Sequence, residues 1–255
     1  NEDLEVLCDL TVRSLDELID FQGYPVRAAE IATRARRSLG VGYIGLAHYL
    51  AKHGEHYGDP GAWQLVHDLT ESFQYYLIKA TVNLAKEKGA CIVSYGLRNS
   101  TLSAQMPSES SSVVSNATNG IEPPRGYLSV KKSKKGPLKQ IVPQFHTLKN
   151  NYTLLWDMPS NRGYINIVAV MQKFFDQAIS GNWSYNPENY ENNEVPVSVM
   201  AQDMLTCFKL GHKTAYYQNT YDIKTDEVEE TKPELQSLLD DILESDESSC
   251  DSCSI

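Results

Sequence analysis

Three groups of residues in this 255-residue sequence have types and spacings that could support chemistry. The first is a hydroxyl-rich run, PSESSS, at positions 107–112. The second is a pair of adjacent tyrosines, Tyr216 and Tyr217, and the third is a pair of nearby cysteines, Cys250 and Cys253. The first group could bind an anion and the third could exchange disulfides, whereas adjacent tyrosines are most simply explained by aromatic packing.

The serine run opens onto two valines and therefore predicts the N-terminus of a helix. Ser108, Ser110 and Ser111 surround one carboxylate, Glu109, directly after Pro107. Backbone N–H groups in a first helical turn lack intrahelical acceptors, so together with nearby hydroxyls they can bind an anion. The simpler interpretation, a serine-rich capped loop without a ligand, is the one that composition alone favours.

The two tyrosines fall in a short predicted strand at 214–219. Because neighbouring side chains of a strand point to opposite faces, one tyrosine should face inward and the other outward. On residue type alone, the pair is ordinary aromatic packing in a sheet.

The cysteine pair lies in an acidic tail, 222–255, which is predicted to be flexible. The tail holds 12 acidic and 2 basic residues, an excess of acids equal to the net charge of −10 of the whole chain. A zinc site would need a second pair of cysteines or histidines, and none is near. A free dithiol on a flexible tether could instead enter a buried site, reduce a disulfide there and be reduced again outside.

Composition limits the remaining possibilities. The chain is long enough for one large domain, 1–221, followed by the tail. A neutral body and an acidic tail make nucleic acid an unfavourable partner. No apolar run approaches the ~18 residues of a membrane span and no signal peptide is visible, so a cytoplasmic protein is expected. The scattered cysteines Cys8, Cys91 and Cys207 form no disulfide framework, which also indicates a reducing compartment. Cys8 lies inside the first predicted helix and is expected to be a core or partly exposed residue rather than a nucleophile.

Hydrophobic periodicity predicts the elements that would position these groups. Helices are expected at 2–21, 28–39, 61–88, 171–179 and 197–210, and strands at 127–130, 140–142, 163–170 and 214–219, with 152–158 either a buried strand or a short helix. The apolar run at 163–170 followed by a helix suggests a parallel α/β unit. The residues expected to face the core in the first helix are Leu4, Leu7, Thr11, Leu15, Leu18 and either Ile19 or Phe21. In the last helix they are Val199, Leu205 and either Cys207 or Phe208.

Two motifs that resemble ligand sites are excluded. The stretch at 40–45 matches G-x-G-x-x-G, but the dinucleotide fingerprint requires a preceding apolar strand, and the arginine-rich ATRARRSL stands there instead. His48, His53 and His56 do not share one helical face and no carboxylate pair supports them, so no metal site is predicted.

The phrases LRNSTLSA at 97–104, MPSESSS at 106–112 and SNATNGIEPPRG at 115–126 occur in an order and spacing that resemble the large chain of class I ribonucleoside-diphosphate reductases. The resemblance extends along almost the whole chain and is closest to bacterial and phage versions. It implies the C-terminal part of the family's ten-stranded α/β barrel, in which the glycines at 40–45 would serve close packing. It also implies an enzyme that reduces ribonucleoside diphosphates to deoxyribonucleoside diphosphates by radical chemistry for DNA synthesis.

The same resemblance implies roles for the three groups. The residues that would contact the substrate's diphosphate and ribose are Pro107, Ser108, Glu109, Ser110 and Ser111. Tyr216 and Tyr217 would relay a radical from the di-iron small subunit, with no cofactor bound by this chain itself. Cys250 and Cys253 would be a thiol shuttle reduced by thioredoxin or glutaredoxin, although the family's usual cysteine spacing is wider.

The sequence also departs from the family. Several dozen family residues are missing after Cys91, and no cysteine here matches the radical-forming one. The resemblance therefore implies the second product of a split gene, inactive alone and dependent on an N-terminal portion and the small subunit, in a bacterial cell or phage-infected host.

Two alternatives belong to other classes of function. One is a non-catalytic module that binds nucleotide or a partner protein, which would have no reason to keep both the tyrosine pair and the dithiol. The other is a stand-alone thiol oxidoreductase, whose CxxC motif would be expected at a helix N-terminus in a compact fold rather than in an acidic tail.

Overall fold

The computed structural model describes residues 2–133 and 136–221, without the side chains of 130–138. The tail, 222–255, and its cysteines Cys250 and Cys253 lie outside the described residues. Among the described residues the helices are α1 (Glu2–Phe21), α2 (Arg27–Arg36), α3 (Leu46–His53), α4 (Pro60–Lys88), α5 (Glu109–Val114), α6 (Phe145–Leu148), α7 (Arg162–Gln172) and α8 (Val197–Lys209). The strands are β1 (Leu128–Ser133), β2 (Gly136–Ile141), β3 (Trp183–Tyr185) and β4 (Gln218–Thr220).

Helix α4, predicted at 61–88, is the centre of the fold. Pro60 occupies its first turn, where a backbone N–H is not needed, and Gly89 follows its last residue with a φ of 90°. Helix α4 packs against both α1 and α7, and α7 also contacts α8. Phe73, Leu77 and Leu84 of α4 are buried in the shared core, where each side chain contributes about 1.5–3 kcal/mol to stability.

The segment that leads to the hydroxyl-rich run is fixed by a short parallel pairing. Val41 and Ser103 form a parallel bridge. The Val41 N–H donates to the Leu102 carbonyl oxygen at 2.8 Å, and the Ala104 N–H donates to the Val41 carbonyl oxygen at 3.0 Å. A Cβ at Gly42 would overlap the Ala104 carbonyl oxygen, so glycine permits this close approach. The packing role expected for the G-x-G-x-x-G glycines is confirmed at Gly42.

The two strands predicted at 127–130 and 140–142 form an antiparallel hairpin of β1 and β2, with Leu128 opposite Ile141. The short-helix alternative for 152–158 is confirmed in part, because Leu155–Asp157 forms a 3₁₀ turn. The strand predicted at 214–219 is shorter and shifted. Only Gln218–Thr220 forms β4, which pairs in parallel with β3.

The prediction of a strand at 163–170 is wrong, because these residues lie in helix α7. The helix predicted at 171–179 is wrong too, since α7 ends at Gln172 and a turn follows. Most residues of α7 are buried, and a short apolar run without alternation cannot distinguish a strand from a buried helix. The parallel pairings of this mixed α/β fold therefore lie elsewhere, between Val41 and Ser103 and between β3 and β4.

The buried faces of α1 and α8 agree only in part with the expected ones. Leu4, Leu15 and Val199 pack against the core as expected. Leu7, Leu18 and Phe21 of α1 are exposed, and so are Leu205 and Phe208 of α8. An acid takes their place in each core-facing stripe. The buried residues are Cys8, Val12, Asp16 and Ile19 in α1 and Asp203, Thr206 and Cys207 in α8, so Cys8 is a core residue as expected and the alternatives Ile19 and Cys207 are confirmed.

Asp16 is fully buried because two arginines and an amide surround its carboxylate. Arg37 Nε lies 2.6 Å from Asp16 Oδ1, and Arg98 Nε lies 3.1 Å from Oδ2. Asn99 Nδ2 also donates to Asp16 Oδ1 at 2.9 Å. Burial alone would raise the pKa of Asp16, but the hydrogen bonds and charges of the two arginines outweigh it and hold the pKa below its usual value.

Substituting Asp16→Asn should destabilise the chain by about 3–5 kcal/mol, because Arg37 and Arg98 would keep their charges without a buried counter-charge. The free energy of unfolding in urea, followed by circular dichroism, measures this loss. The matched control is Glu17→Gln, which removes an exposed carboxylate paired with Lys88 on the same helix and should change the unfolding midpoint little. Equal losses in the two variants would contradict the prediction.

Candidate functional site

The hydroxyl-rich run forms the first turn of α5, as the sequence predicted. Ser108 precedes the helix, but its hydroxyl does not cap it. The Ser108 hydroxyl instead donates to the Met106 carbonyl oxygen at 3.1 Å. The Ser112 hydroxyl, which is buried, donates to the Ser108 carbonyl oxygen at 2.7 Å. These two serines therefore shape the turn with their own hydroxyls.

The remaining polar side chains of the turn face solvent. Glu109, Ser110 and Ser111 are exposed, and so is Pro107. Exposed hydroxyls at the positive end of a helix suit an anionic ligand, because the helix dipole attracts negative charge there and hydroxyl groups can donate hydrogen bonds to it. Ser110 and Ser111 are thus exposed at the start of α5, whereas the Ser108 hydroxyl is directed at the backbone, and ligand contact by these serines stays a prediction.

An open cavity of about 560 Å³ adjoins this turn. Glu109 and Ser112 of α5 line one part of it, and Glu122 and Arg125 of the following loop line another. Trp156 and Leu154 line a more apolar part. The cavity therefore brings three carboxylates, those of Glu109, Glu122 and Asp157, together with one guanidinium beside the first turn of α5.

Glu122 was not singled out from the sequence. Its carboxylate accepts hydrogen bonds from Asn182 Nδ2 at 2.6 Å and from Asn119 Nδ2 at 3.2 Å. Burial raises the pKa of Glu122, as does the charge of Glu109, while the Asn182 hydrogen bond and the Arg125 charge oppose the rise. The sequence signal that could have identified Glu122 is an acid that stands directly after Gly120-Ile121 and before two prolines, where the backbone is restricted.

The two tyrosines lie just before β4, and their rings contact each other. The ring centroids are 4.2 Å apart with an interplanar angle of 51°. Both side chains are exposed, Tyr216 by 49% and Tyr217 by 62%, so the expectation of one inward and one outward ring is wrong. The reason is that the pleated strand begins only at Gln218. A hydrogen bond with Tyr217 raises the pKa of Tyr216.

The three cysteines in the described part of the chain are free and buried. Burial raises the pKa of Cys8 to about 11, and it raises that of Cys207, beside the Asp203 carboxylate, to about 11 as well. A thiol with such a pKa is protonated near neutral pH and is a poor nucleophile. The geometry thus agrees with the core role expected for Cys8. The shuttle roles of Cys250 and Cys253 lie outside the described residues and stay predictions.

The histidines that the sequence excluded as a metal site have separate partners. His48 contacts Gln144, His53 contacts the Tyr49 carbonyl oxygen and His56 contacts Thr153. Over the described residues, one other group has ligand atoms close enough to hold a metal ion, and it was not singled out from the sequence. Its members are His67, Asp68 and Glu71, which lie on the surface of α4. The sequence signal that could have identified this group is the i, i+1, i+4 spacing of a histidine and two acids within a predicted helix.

Across residues 2–133 and 136–221, no helix combines the length and the apolar character that crossing a membrane requires.

A family profile described as "Ribonucleotide reductase, barrel domain" matches residues 1–92 and 90–218. This chain belongs to that family. The two matched segments meet at Cys91 and Ile92, where the sequence predicted that family residues are missing. In this reductase-family chain the junction is a tight turn, closed by the Ser94 N–H donating to the Cys91 carbonyl oxygen at 3.2 Å.

Several relatives carry the name "Ribonucleoside-diphosphate reductase subunit alpha". The protein from Haemophilus influenzae is 50% identical over 83% of this chain and 33% of its own length. The phage T4 protein is 41% identical over 85% of this chain and 34% of its own length. "Ribonucleoside-diphosphate reductase 1 subunit alpha" of Escherichia coli is 45% identical over 86% of this chain and 34% of its own length. The chain thus spans about a third of these relatives.

A solved structure supports the fold. The class Id ribonucleotide reductase alpha subunit of Actinobacillus ureae matches 87% of this chain and 46% of its own with a TM-score of 0.70 and 23% identity. The expected fold, part of the reductase α/β barrel, is therefore confirmed.

The raised pKa of Glu122 predicts how its replacement changes stability with pH. Because the pKa of Glu122 is higher in the folded chain, protonation of this carboxyl contributes to the free energy of unfolding. This contribution is complete below the usual pKa of 4.5 and is lost as pH rises through the higher pKa of the folded state. Glu122→Gln stays neutral, so the unfolding free energy of the variant minus that of the unsubstituted chain should increase from about pH 4 to about pH 8. Urea unfolding across this range checks it, with the exposed Glu191→Gln as control. A pH-independent difference would contradict the prediction.

Proposed function

We propose that this chain is part of a class I ribonucleoside-diphosphate reductase that converts ribonucleoside diphosphates to deoxyribonucleoside diphosphates for DNA synthesis. The observation that carries the proposal is the family match over 90–218, which contains both the α5 turn and the tyrosine pair. Relatives named for this activity are 41% and 50% identical to the chain, which supports carrying the activity over. In the reaction, hydrogen replaces the ribose 2′-OH.

The α5 turn would hold the substrate diphosphate. Ser110 and Ser111 are exposed hydroxyl donors at the positive end of the helix, and Ser108 would contribute its backbone. Pro107 fixes the entry of the chain into the turn. Glu109 would contact the ribose, because a carboxylate accepts hydrogen bonds from sugar hydroxyls but repels phosphate.

Tyr216 and Tyr217 would relay the radical. A phenol can lose its proton and its electron together, and ring centroids 4.2 Å apart make a short transfer path. Their exposure suits a pathway that arrives from a second protein, the di-iron small subunit.

Cys250 and Cys253 would deliver reducing equivalents. One thiolate would attack the disulfide left in the active site and form a mixed disulfide, and the second cysteine would then displace the active-site thiol from it. Thioredoxin or glutaredoxin would reduce the resulting Cys250–Cys253 disulfide. The radical-forming cysteine would come from the N-terminal portion of the large subunit, because none of Cys8, Cys91 and Cys207 matches the family's phrase for that cysteine. The chain by itself should therefore be inactive.

The decisive experiment measures reduction of labelled CDP by this chain alone and by this chain with an N-terminal portion of the large subunit, each with the small subunit and a dithiol. Activity only in the complete mixture supports the proposal. Stable assembly without activity favours a non-catalytic nucleotide-binding or partner-binding module. Activity of this chain alone would contradict the assignment of the radical cysteine to the N-terminal portion.

The tyrosine and cysteine roles predict two different classes of variant in the complete mixture. Tyr216→Phe or Tyr217→Phe should abolish turnover with any reductant, since phenylalanine cannot carry a phenoxyl radical. Cys250→Ser or Cys253→Ser should retain turnover with a small dithiol and lose it with thioredoxin. CDP reduction with each reductant distinguishes the classes, and identical behaviour of all four variants would contradict the division of roles.

The diphosphate role predicts that Ser111→Ala raises the KM for CDP about 10-fold or more, since a hydrogen bond to a charged group contributes about 1.5–3 kcal/mol. Ser115→Ala is the matched control, because its hydroxyl lies at the other end of α5 and donates to the Ser111 carbonyl oxygen at 3.0 Å. Initial rates over a range of CDP concentrations measure the effect. Equal KM values for the two variants would mean that the turn does not hold the diphosphate.

A further inference from the structure

We propose that Glu122 is a positioning residue that couples the α5 turn to the tyrosine pair, so that diphosphate at the turn and the backbone position of Tyr217 influence each other. The inference rests on the functions proposed above for the turn and the pair. It adds a link between them, carried by a row of three side chains, Asn119, Glu122 and Asn182.

The first half of the row starts at the turn. The backbone N–H of Ser108 donates to Asn119 Oδ1 at 3.0 Å. The amide of the same asparagine donates through Nδ2 to Glu122 Oε2 at 3.2 Å. A ligand that shifts the backbone at Ser108 therefore acts directly on the Asn119 side chain and, through it, on one oxygen of the Glu122 carboxylate.

The second half of the row ends at the tyrosines. Asn182 Nδ2 donates to the other carboxylate oxygen, Glu122 Oε1, at 2.6 Å. The Tyr217 backbone N–H donates to Asn182 Oδ1 at 3.3 Å. The next residue, Trp183, donates its N–H to the Tyr217 carbonyl oxygen at 2.9 Å. Both backbone polar groups of Tyr217 are thus held by residues 182–183, so a shift of Asn182 is passed to Tyr217.

The chemistry of the row requires a carboxylate at its centre. Each asparagine presents an N–H group to Glu122, and an ionised carboxylate accepts two such bonds because both of its oxygens are acceptors. A glutamine at this position offers one acceptor oxygen, and its own NH₂ group would face the second N–H donor. Glu122→Gln therefore breaks one half of the row with almost no change in side-chain volume.

The backbone around the row is fixed, so a shift is passed along the side chains rather than absorbed. The Glu122 N–H donates to the Asn119 carbonyl oxygen at 3.1 Å, which closes a turn, and Ile121 and Pro123 beside it are buried. A separate backbone hydrogen bond, from the Ser180 N–H to the Gln105 carbonyl oxygen at 3.0 Å, joins the segment before the α5 turn to the segment before Asn182.

Allosteric coupling is reciprocal, so it can be measured from the tyrosine side as a change in ligand affinity. The probe is inorganic diphosphate, titrated by calorimetry into the full chain and into Asn182→Ala, Glu122→Gln and the double variant. Asn182→Ala should weaken binding about 5-fold or more, and Glu122→Gln by a similar factor. The double variant should bind no more weakly than either single one, since both substitutions interrupt the same row.

Asn186→Ala is the matched control. Asn186 follows β3 four residues after Asn182 and has its own partners, with its Nδ2 donating to the Trp156 carbonyl oxygen at 3.3 Å and its Oδ1 accepting from the Glu188 N–H at 3.0 Å. Its replacement should leave diphosphate affinity unchanged. Circular dichroism checks the folding of every variant, and Asn119→Ser, which interrupts the row from the turn side, replaces Glu122→Gln if the latter does not fold.

A second readout distinguishes coupling from a general loss of structure. In the unsubstituted chain, diphosphate should shift the amide resonance of Tyr217 in nitrogen–proton correlation spectra. In Glu122→Gln, it should still shift the amide resonances of α5 but not that of Tyr217. Multiplicative losses in the double variant, or an equal Tyr217 shift with and without Glu122, would overturn the coupling alone. Absence of diphosphate binding to the folded unsubstituted chain would overturn the proposed role of the turn as well.

Discussion

The buried carboxylate of Asp16 is the constraint on which the rest of the structure depends. It joins α1 to Arg37 at the end of α2 and to Arg98 and Asn99, which begin the segment leading to α5. Arg37 has a φ of 50°, a left-handed conformation that non-glycine residues adopt only when their surroundings hold them there. A buried charge is tolerable only when it is paired and hydrogen-bonded, so these three chain segments must meet at one point.

The candidate site follows from that fixed point. Directly after Asn99, the chain pairs in parallel with the segment around Val41, which places the start of α5 at a defined distance from the core. The α5 turn then presents short hydroxyls to solvent, while its backbone is tied to Asn119. A turn whose backbone is held in place and whose hydroxyl groups are exposed suits anion binding, because donors that are already oriented lose little entropy when a ligand binds.

Polar groups therefore act in two ways in this chain. At Asp16, opposite charges are neutralised and the result is structural. At Glu122, a largely enclosed carboxylate has amide donors on both oxygens and a single guanidinium nearby, so burial raises its pKa. A carboxylate whose charge is only partly compensated is sensitive to its surroundings, so an anion bound at the neighbouring turn would act on Glu122. The exposed tyrosine pair lies at the far end of the same hydrogen-bonded row.

The sequence by itself determined the long helices, the hairpin and the first turn of α5, because these depend on local signals such as periodicity and the positions of proline and glycine. It also determined the family, through long sequence motifs whose order and spacing are specific. Tertiary structure alone decided that 163–170 is a helix, that Asp16 and Asp203 lie in the core, and that both tyrosines face solvent. It also brought Glu122 between Asn119 and Asn182, residues separated by 63 positions in the chain. Each of these outcomes depends on partners distant in sequence, whose charges and packing outweigh the local preference that a pattern records.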